Sequence, residues 1–315
     1  MGQGARQDGE VGRLAHARRA GPARDLPGDH LARRPRGARA HRRRCATGRD
    51  RLQAVSLLAP ARRTLLFTSG KGGVGKSTIA VNVASALARR GLSVGVLDAD
   101  VYGPSVPRLL GLEGERVRWS DGPHSQMLPA ENFGLKVMSV GLTTPESDTP
   151  LVWRSSVAVS ALRQLLTDTA WGQLDVLVID APPGTGDVQL TLAQDVALSA
   201  AVVVTTPQPL ATDDVRRALR MLQEVRVPIA GVVENLSGFH APDGGVHQLF
   251  GEGGGRTLAD DYGVPFLGQL PIDPELRALC DQGRPAAACG DDEQMRRFAD
   301  LAARILEQLA DARRQ

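Results

Sequence analysis

The chain has 315 residues, 42% of them hydrophobic, with a net charge of +3, enough to bury one large core or two modest ones. No run of about 18 apolar residues occurs, so no membrane-spanning helix is expected. Three unpatterned cysteines, Cys45, Cys280 and Cys289, exclude a disulfide scaffold and fit a reducing cytoplasm.

The charge is segregated: residues 1–63 hold sixteen arginines against five acidic residues, and the remainder is mildly acidic. Residues 1–62 lack interleaved aromatics and apolar periodicity, so they read as an arginine-rich disordered leader rather than a nucleic-acid-binding arm. Their composition is what a shifted reading frame of a GC-rich gene would give. No apolar run follows Arg18-Arg19, so export is not expected. The folded domain is expected over residues 63–313.

Thr64–Thr68 reads as a buried strand, and Ile79, Val83, Ala84 and Leu87 recur at helical spacing after it. Between them lies Gly70-Lys71-Gly72-Gly73-Val74-Gly75-Lys76-Ser77-Thr78, a phosphate-binding loop whose backbone N–H groups and following helix end face an anion. The chain has only three lysines, Lys71, Lys76 and Lys136. Two of them in one loop point to chemistry that needs a compact ammonium. Lys76 is expected to reach the β- and γ-phosphates of ATP and Ser77 to ligate Mg²⁺.

From here apolar strand-like runs alternate with helical patterns, which predicts an α/β fold: a doubly wound, mostly parallel sheet with helices on both faces. Leu92–Leu97 reads as the second strand and delivers Asp98 and Asp100 to the ligand-binding sheet edge, where two carboxylates can flank one Mg²⁺ and one attacking water. A solvated turn is the competing reading. Residues 113–134 read as loop or hairpin, Leu135–Val140 as a strand, and Ala158, Leu162, Leu165 and Leu166 as one helix face. The strand Leu174–Asp180 ends in an aspartate suited to the Mg²⁺ hydration shell. The turn Ala181–Asp187 that follows can sense a γ-phosphate through its backbone. Ala200–Thr205 is a strand, Val215–Val225 a helix, and Pro228–Val233 a strand that brings Glu234-Asn235 to the same edge. There the Asn235 amide can read a base edge or simply close a turn. Gly238–Gly255 reads as a glycine-rich loop, Val264–Leu267 as a strand, Pro271–Pro274 as a turn before a helix, and 291–311 as an amphipathic helix with Met295, Phe298, Leu301, Ile305 and Leu309 on one face.

Taken together, Gly70–Thr78, DADVYGPSVP at Asp98–Pro107, Val152-Trp153-Arg154, IDAPPGTGDVQLTLAQ at Ile179–Gln194, VVENLS at Val232–Ser237, FGEGGG at Phe250–Gly255 and Leu270–Pro274 resemble the Mrp/ApbC group of P-loop ATPases. These are iron–sulfur cluster carrier proteins, related to MinD. The resemblance implies a cytoplasmic homodimer that hydrolyses ATP and carries a Fe–S cluster to apoprotein clients from the assembly machinery. It implies that Lys71 reaches the partner's nucleotide, that Lys76 and Asp100 serve catalysis, and that Asp98, Asp180 and Ser77 surround Mg²⁺. Asn235, Pro271 and Asp273 would contact adenine. Neither membrane nor nucleic acid is an expected partner. A MinD-like positioning ATPase or a nucleotide-binding regulatory scaffold are the alternatives. The chain departs from the group in one respect: Ala241 and Gly244 stand where many members have a C-x-x-C, and neither side chain ligates iron. His240 and His247 nearby read as ordinary loop histidines, and Cys280 and Cys289 as core thiols.

Overall fold

The computed structural model describes residues 59–143 and 155–311. Most of the expected leader and the Val152-Trp153-Arg154 motif lie outside them. Strand β1 (Ala61–Ser69) starts two residues inside the expected leader and is buried from Thr64 onward. After it the phosphate loop leads into helix α1 (Lys76–Arg89), and β2 (Val94–Asp98) follows. Next come a short helix α2 (Val106–Leu109), the hairpin β3 (Arg118–Trp119) and β4 (Met127–Leu128), and then β5 (Ala130–Asn132) and β6 (Leu135–Ser139). The second half runs α3 (Ser155–Thr167), β7 (Leu174–Asp180), α4 (Asp187–Asp195), β8 (Ala200–Thr205), α5 (Pro209–Glu224) and β9 (Ile229–Glu234). It ends with the hairpin β10 (Phe239–His240) and β11 (Val246–His247), α6 (Gly254–Tyr262), β12 (Phe266–Gln269), α7 (Pro274–Asp281), α8 (Ala286–Cys289) and α9 (Asp292–Asp311).

The main sheet has the order β12-β9-β8-β1-β7-β2-β6-β5, parallel throughout except for β5 against β6. Successive residues of a strand point to opposite faces, and the central strands carry consecutive apolar residues such as Leu65-Leu66-Phe67 and Val176-Leu177-Val178-Ile179, so they feed two cores. Leu65, Phe67, Val176 and Val178 pack with α1 and α9 on one face. Leu66, Leu177, Ile179 and Val203 pack with α3, α4, α5 and α6 on the other. This is the expected doubly wound arrangement, and it gathers the C-terminal ends of β1, β2, β7 and β9 along one edge. Of the expected α9 face, Phe298, Leu301, Ile305 and Leu309 are buried and Met295 is half-buried.

Several strand ends shift by one to three residues from the sequence expectation, and three differences have a clear form. Helix α5 starts at Pro209 rather than Val215, because proline fits the first helical turn, where no N–H partner is needed. The expected loop Gly238–Gly255 contains the β10–β11 hairpin and the start of α6. Strand β12 begins at Phe266 rather than Val264, since the Val264 N–H still bonds the Ala259 carbonyl at the end of α6. Among the described residues no helix is long and apolar enough to cross a membrane.

Candidate nucleotide site

The phosphate loop sits between the end of β1 and the start of α1, as its sequence predicts. Two of its glycines are sterically required. A Cβ on Gly70 would lie 2.3 Å from the backbone nitrogen of Val215 in α5. Gly75 caps α1 with φ at +85°, and a Cβ there would lie 2.2 Å from Nδ2 of Asn235. That amide donates to the Val74 carbonyl at 2.9 Å, so the end of β9 is tied directly to the loop.

Lys76 Nζ lies 2.6 Å from Asp180 Oδ1 and 3.2 Å from Ser77 Oγ. The ion pair is buried, with 6% and 0% of the two side chains exposed. The other oxygen, Asp180 Oδ2, is buried without a partner. An orphaned carboxylate oxygen, on a side chain that shares the Lys76 ammonium with the Ser77 hydroxyl, suits the oxygen shell of a hard cation, so these residues fit Mg²⁺.

Parallel register sets Asp98 of β2 directly beside Asp180 of β7. The Asp98 carboxylate is 1% exposed and already engaged: Oδ1 accepts from Asp100 N at 3.1 Å, and Oδ2 from Val106 N and Ser139 Oγ, each at 3.1 Å. Burial and then the facing Asp180 carboxylate raise its pKa to about 7. Asp100 is half-buried, and burial raises its pKa too. It lines a second cavity of about 600 Å³ with Tyr102, Ser155 and the Pro182–Val188 turn. That turn is held to the phosphate loop by Gly184 N donating to the Ser69 carbonyl at 2.9 Å. Gln189 adds bonds to the Pro182 carbonyl and Thr68 Oγ1. Lys71 is half-buried, Ser69 Oγ donates to its carbonyl at 2.9 Å, and it enters no ion pair among the described residues.

Beside the loop opens a cleft of about 430 Å³ whose walls include Gly73, Thr78, Asn235, Leu236, Pro271 and Cys280. The lining is mostly apolar, as a flat heterocycle requires. Asn235 and Pro271 therefore come together as expected. Asp273 also borders the cleft, but its carboxylate is committed. Oδ1 caps α7 by accepting from Glu275 N and Leu276 N, and Oδ2 accepts from Gln294 Nε2 at 3.0 Å. Cys280 is 4% exposed and bonded by Asn82 Nδ2 at 3.8 Å. Burial pushes its thiol upward, as the core-thiol reading expects. Cys289 is half-buried.

The residues at the expected cysteine positions, Ala241 and Gly244, form the β10–β11 turn, where Gly244 N donates to the Ala241 carbonyl at 2.9 Å. His240 pairs with Val246 and Phe239 with His247, which places the two histidines on opposite faces of the hairpin. No group of three or more metal-ligating side chains occurs among the described residues. The hairpin therefore does not fit a thiolate-held cluster.

The sequence reading of the site misses Ser139 altogether and, while bringing Glu234 to the same edge, misses what its side chain binds. Ser139 ends β6 beside Asp98. Glu234, fully buried, accepts from Ser237 Oγ at 2.8 Å, Gln269 Nε2 at 3.0 Å and the α6-start amides Gly253 N at 3.2 Å and Gly255 N at 2.5 Å. The only sequence signal for either is a polar residue closing an apolar strand.

Comparison with known proteins agrees with this geometry. The family model described as the NUBPL iron-transfer P-loop NTPase matches residues 61–306. The chain is 48% identical over 246 residues to the iron-sulfur cluster carrier protein of Aquifex aeolicus, covering 78% of this chain and 67% of that one. It is 45% identical over 253 residues to the protein so named in Pyrococcus abyssi, covering 77% and 85%. Among solved structures, a nucleotide-binding protein in complex with ADP from Archaeoglobus fulgidus superposes with a TM-score of 0.65 at 37% identity, covering 79% of this chain and 95% of that one. The cell division ATPase MinD of Pyrococcus furiosus, at 21% identity, shares the fold with a TM-score of 0.56, covering 78% and 98%.

Proposed function

The chain belongs to the family of NUBPL iron-transfer P-loop NTPases, and from that membership we propose that it is a cytoplasmic, homodimeric ATPase that serves iron–sulfur cluster transfer to apoproteins. The observation that carries the ATPase reading is the buried Lys76–Asp180 pair with Ser77 and Asp100 around it. Amides of the Gly70–Thr78 loop and the N-terminal end of α1 bind the phosphates of ATP. Lys76 leaves Asp180 for the β- and γ-phosphate oxygens, which frees the carboxylate. Ser77 Oγ and Asp180 would hold Mg²⁺, which would supply charge neutralisation for the displacement. Asp100 orients the attacking water. As oxygen bonds to the γ-phosphorus, the bond to the β–γ bridging oxygen breaks, giving ADP and phosphate. Lys71 of a second copy neutralises the charge on the transferring group, so turnover requires the dimer. The base lies in the cleft between Asn235 and the Leu270–Asp273 segment.

The cluster is cargo in this reading, and no transfer step is assigned to the hairpin, which offers no thiolate. Anaerobic incubation with iron and sulfide, with and without ATP, followed by desalting, tests carriage. Retained iron with a visible charge-transfer band supports it, whereas no iron and no band removes it and leaves the ATPase. The missing thiolates favour one second reading, a nucleotide-driven regulatory scaffold in the same pathway.

A further inference from the structure

We infer that Asp98 is a positioning residue that holds the loop carrying Asp100, and that it is not a ligand in the Mg²⁺ shell. This rests on the ATPase reading above and assigns a part of that same site.

The Asp98 side chain makes three hydrogen bonds, and two of them close the loop between β2 and α2 at both ends. Oδ1 takes the N–H of Asp100 at the loop's start, and Oδ2 takes the N–H of Val106 at its end. The third donor, Ser139 Oγ, comes from the neighbouring strand β6. Ser139 itself is fixed, because it is fully buried and its oxygen accepts from Gly141 N at 3.0 Å. Asp98 is thus spanned by two strands and one loop, with 1% of its surface exposed. A carboxylate that already satisfies three buried donors would orphan at least one of them if it turned toward a cation or its water, at a cost comparable to the bond itself. Asp180 shows the contrasting state, with one oxygen on Lys76 and the other unpartnered.

The loop needs such a knot. It is exposed at Tyr102, Gly103 and Pro104, and the Asp100 side chain is bonded there by backbone N–H groups of the same exposed loop, Gly103 N at 3.3 Å and Tyr102 N. Its other anchors are the Ala99 N–H on the Asp180 carbonyl at 2.9 Å and the buried Val101 side chain. Without the Asp98 bonds the segment between Ala99 and Val106 loses its fixed path. A displacement of the order of 1 Å at a water-orienting group lowers turnover by up to about a hundredfold.

Asp98→Asn keeps the size of the side chain and replaces one acceptor oxygen with a donor, which breaks one end of the knot. The expected result is a kcat lower by about 10–100-fold, with MgATP affinity and the half-saturating Mg²⁺ concentration within about threefold of wild type. Loss of a shell ligand or its outer-sphere support would instead raise the half-saturating Mg²⁺ concentration by about 10–100-fold. That shift, with kcat restored at high Mg²⁺, overturns the inference. Ser139→Ala is the milder second variant and touches no proposed Mg²⁺ ligand. It should lower kcat severalfold at unchanged Mg²⁺ dependence, and wild-type turnover would overturn the inference. Hydrogen exchange of the amides of Asp100 and Val106 gives a readout independent of hydrolysis, with one of the two losing protection in Asp98→Asn while α1 keeps its own. Protection retained at both amides also overturns it. Hydrolysis by the wild type is measured first, so failure of the ATPase reading appears there and failure of the positioning role appears only in the variants.

Discussion

Replacing Lys76 with alanine should destabilise the fold as well as abolish nucleotide binding. Lys76 Nζ and Asp180 Oδ1 are 2.6 Å apart with 6% and 0% of the side chains exposed. Such a pair contributes little over a matched apolar pair, but removing one member strands the other charge in the interior, which costs about 3–5 kcal/mol. For a domain of this size that loss lowers the melting temperature by roughly 6–20 °C. The stranded Asp180 would also face Asp98, its neighbour in register, with no cation between them. Thermal and urea unfolding of the nucleotide-free protein near neutral pH measure the effect. Asp180→Asn on the Lys76→Ala background removes the uncompensated charge, so the double variant should recover most of the lost stability while hydrolysis stays absent. If Lys76→Ala melts within about 2 °C of wild type, or if the double variant is less stable than the single one, the reasoning from a buried, mutually dependent pair is wrong.

Further outcomes follow from the same geometry. Gly75→Ala forces a Cβ into left-handed backbone, costing about 1–2 kcal/mol, and onto the Asn235 amide 2.2 Å away; calorimetry should show ATP affinity reduced at least about tenfold, and affinity within twofold of wild type would refute the contact. Cys280 is buried beside the base cleft and its thiol pKa is raised, so it should stay a neutral thiol at mildly alkaline pH and react with iodoacetamide far more slowly than Cys289. Because its pKa is raised, its rate should go on climbing above the ordinary thiol value, where an unperturbed thiol levels off, and should fall when ATP is added. Equal rates for the two cysteines, followed by mass spectrometry of the labelled peptides, would contradict the burial argument.

The fold and the phosphate site were legible because they depend on local signals. Unbroken apolar strands specify a sheet covered on both faces, and a glycine-rich loop between strand and helix can serve few other ends. The same holds for the position of Asp180, at the end of the apolar run Val176–Ile179. What stayed hidden depends on register and on contacts distant in sequence. Ser139 meets Asp98 only because β6 lies beside β2 in parallel register, so the serine reads as an unremarkable strand end. Asp273 reads as a base contact within its motif, yet its side chain is drawn to Gln294 and Arg297 of α9. Glu234 binds the start of α6 across the whole hairpin insertion, which ties the VVENLS and FGEGGG segments together in space. The hairpin itself was masked by its glycines, which sequence reasoning assigns to loop before it sees two short strands pair.

The proposal that the nucleotide site is completed across a dimer is tested most directly by mixing two variants each expected to be inactive, Lys71→Ala and Asp100→Ala. In a two-fold dimer each subunit would receive the lysine of the other, so a mixed dimer holds one intact site, and an equimolar mixture should recover roughly a quarter of wild-type ATP hydrolysis. No recovery, with each variant still binding ATP and still dimerising, would contradict a lysine supplied by the partner.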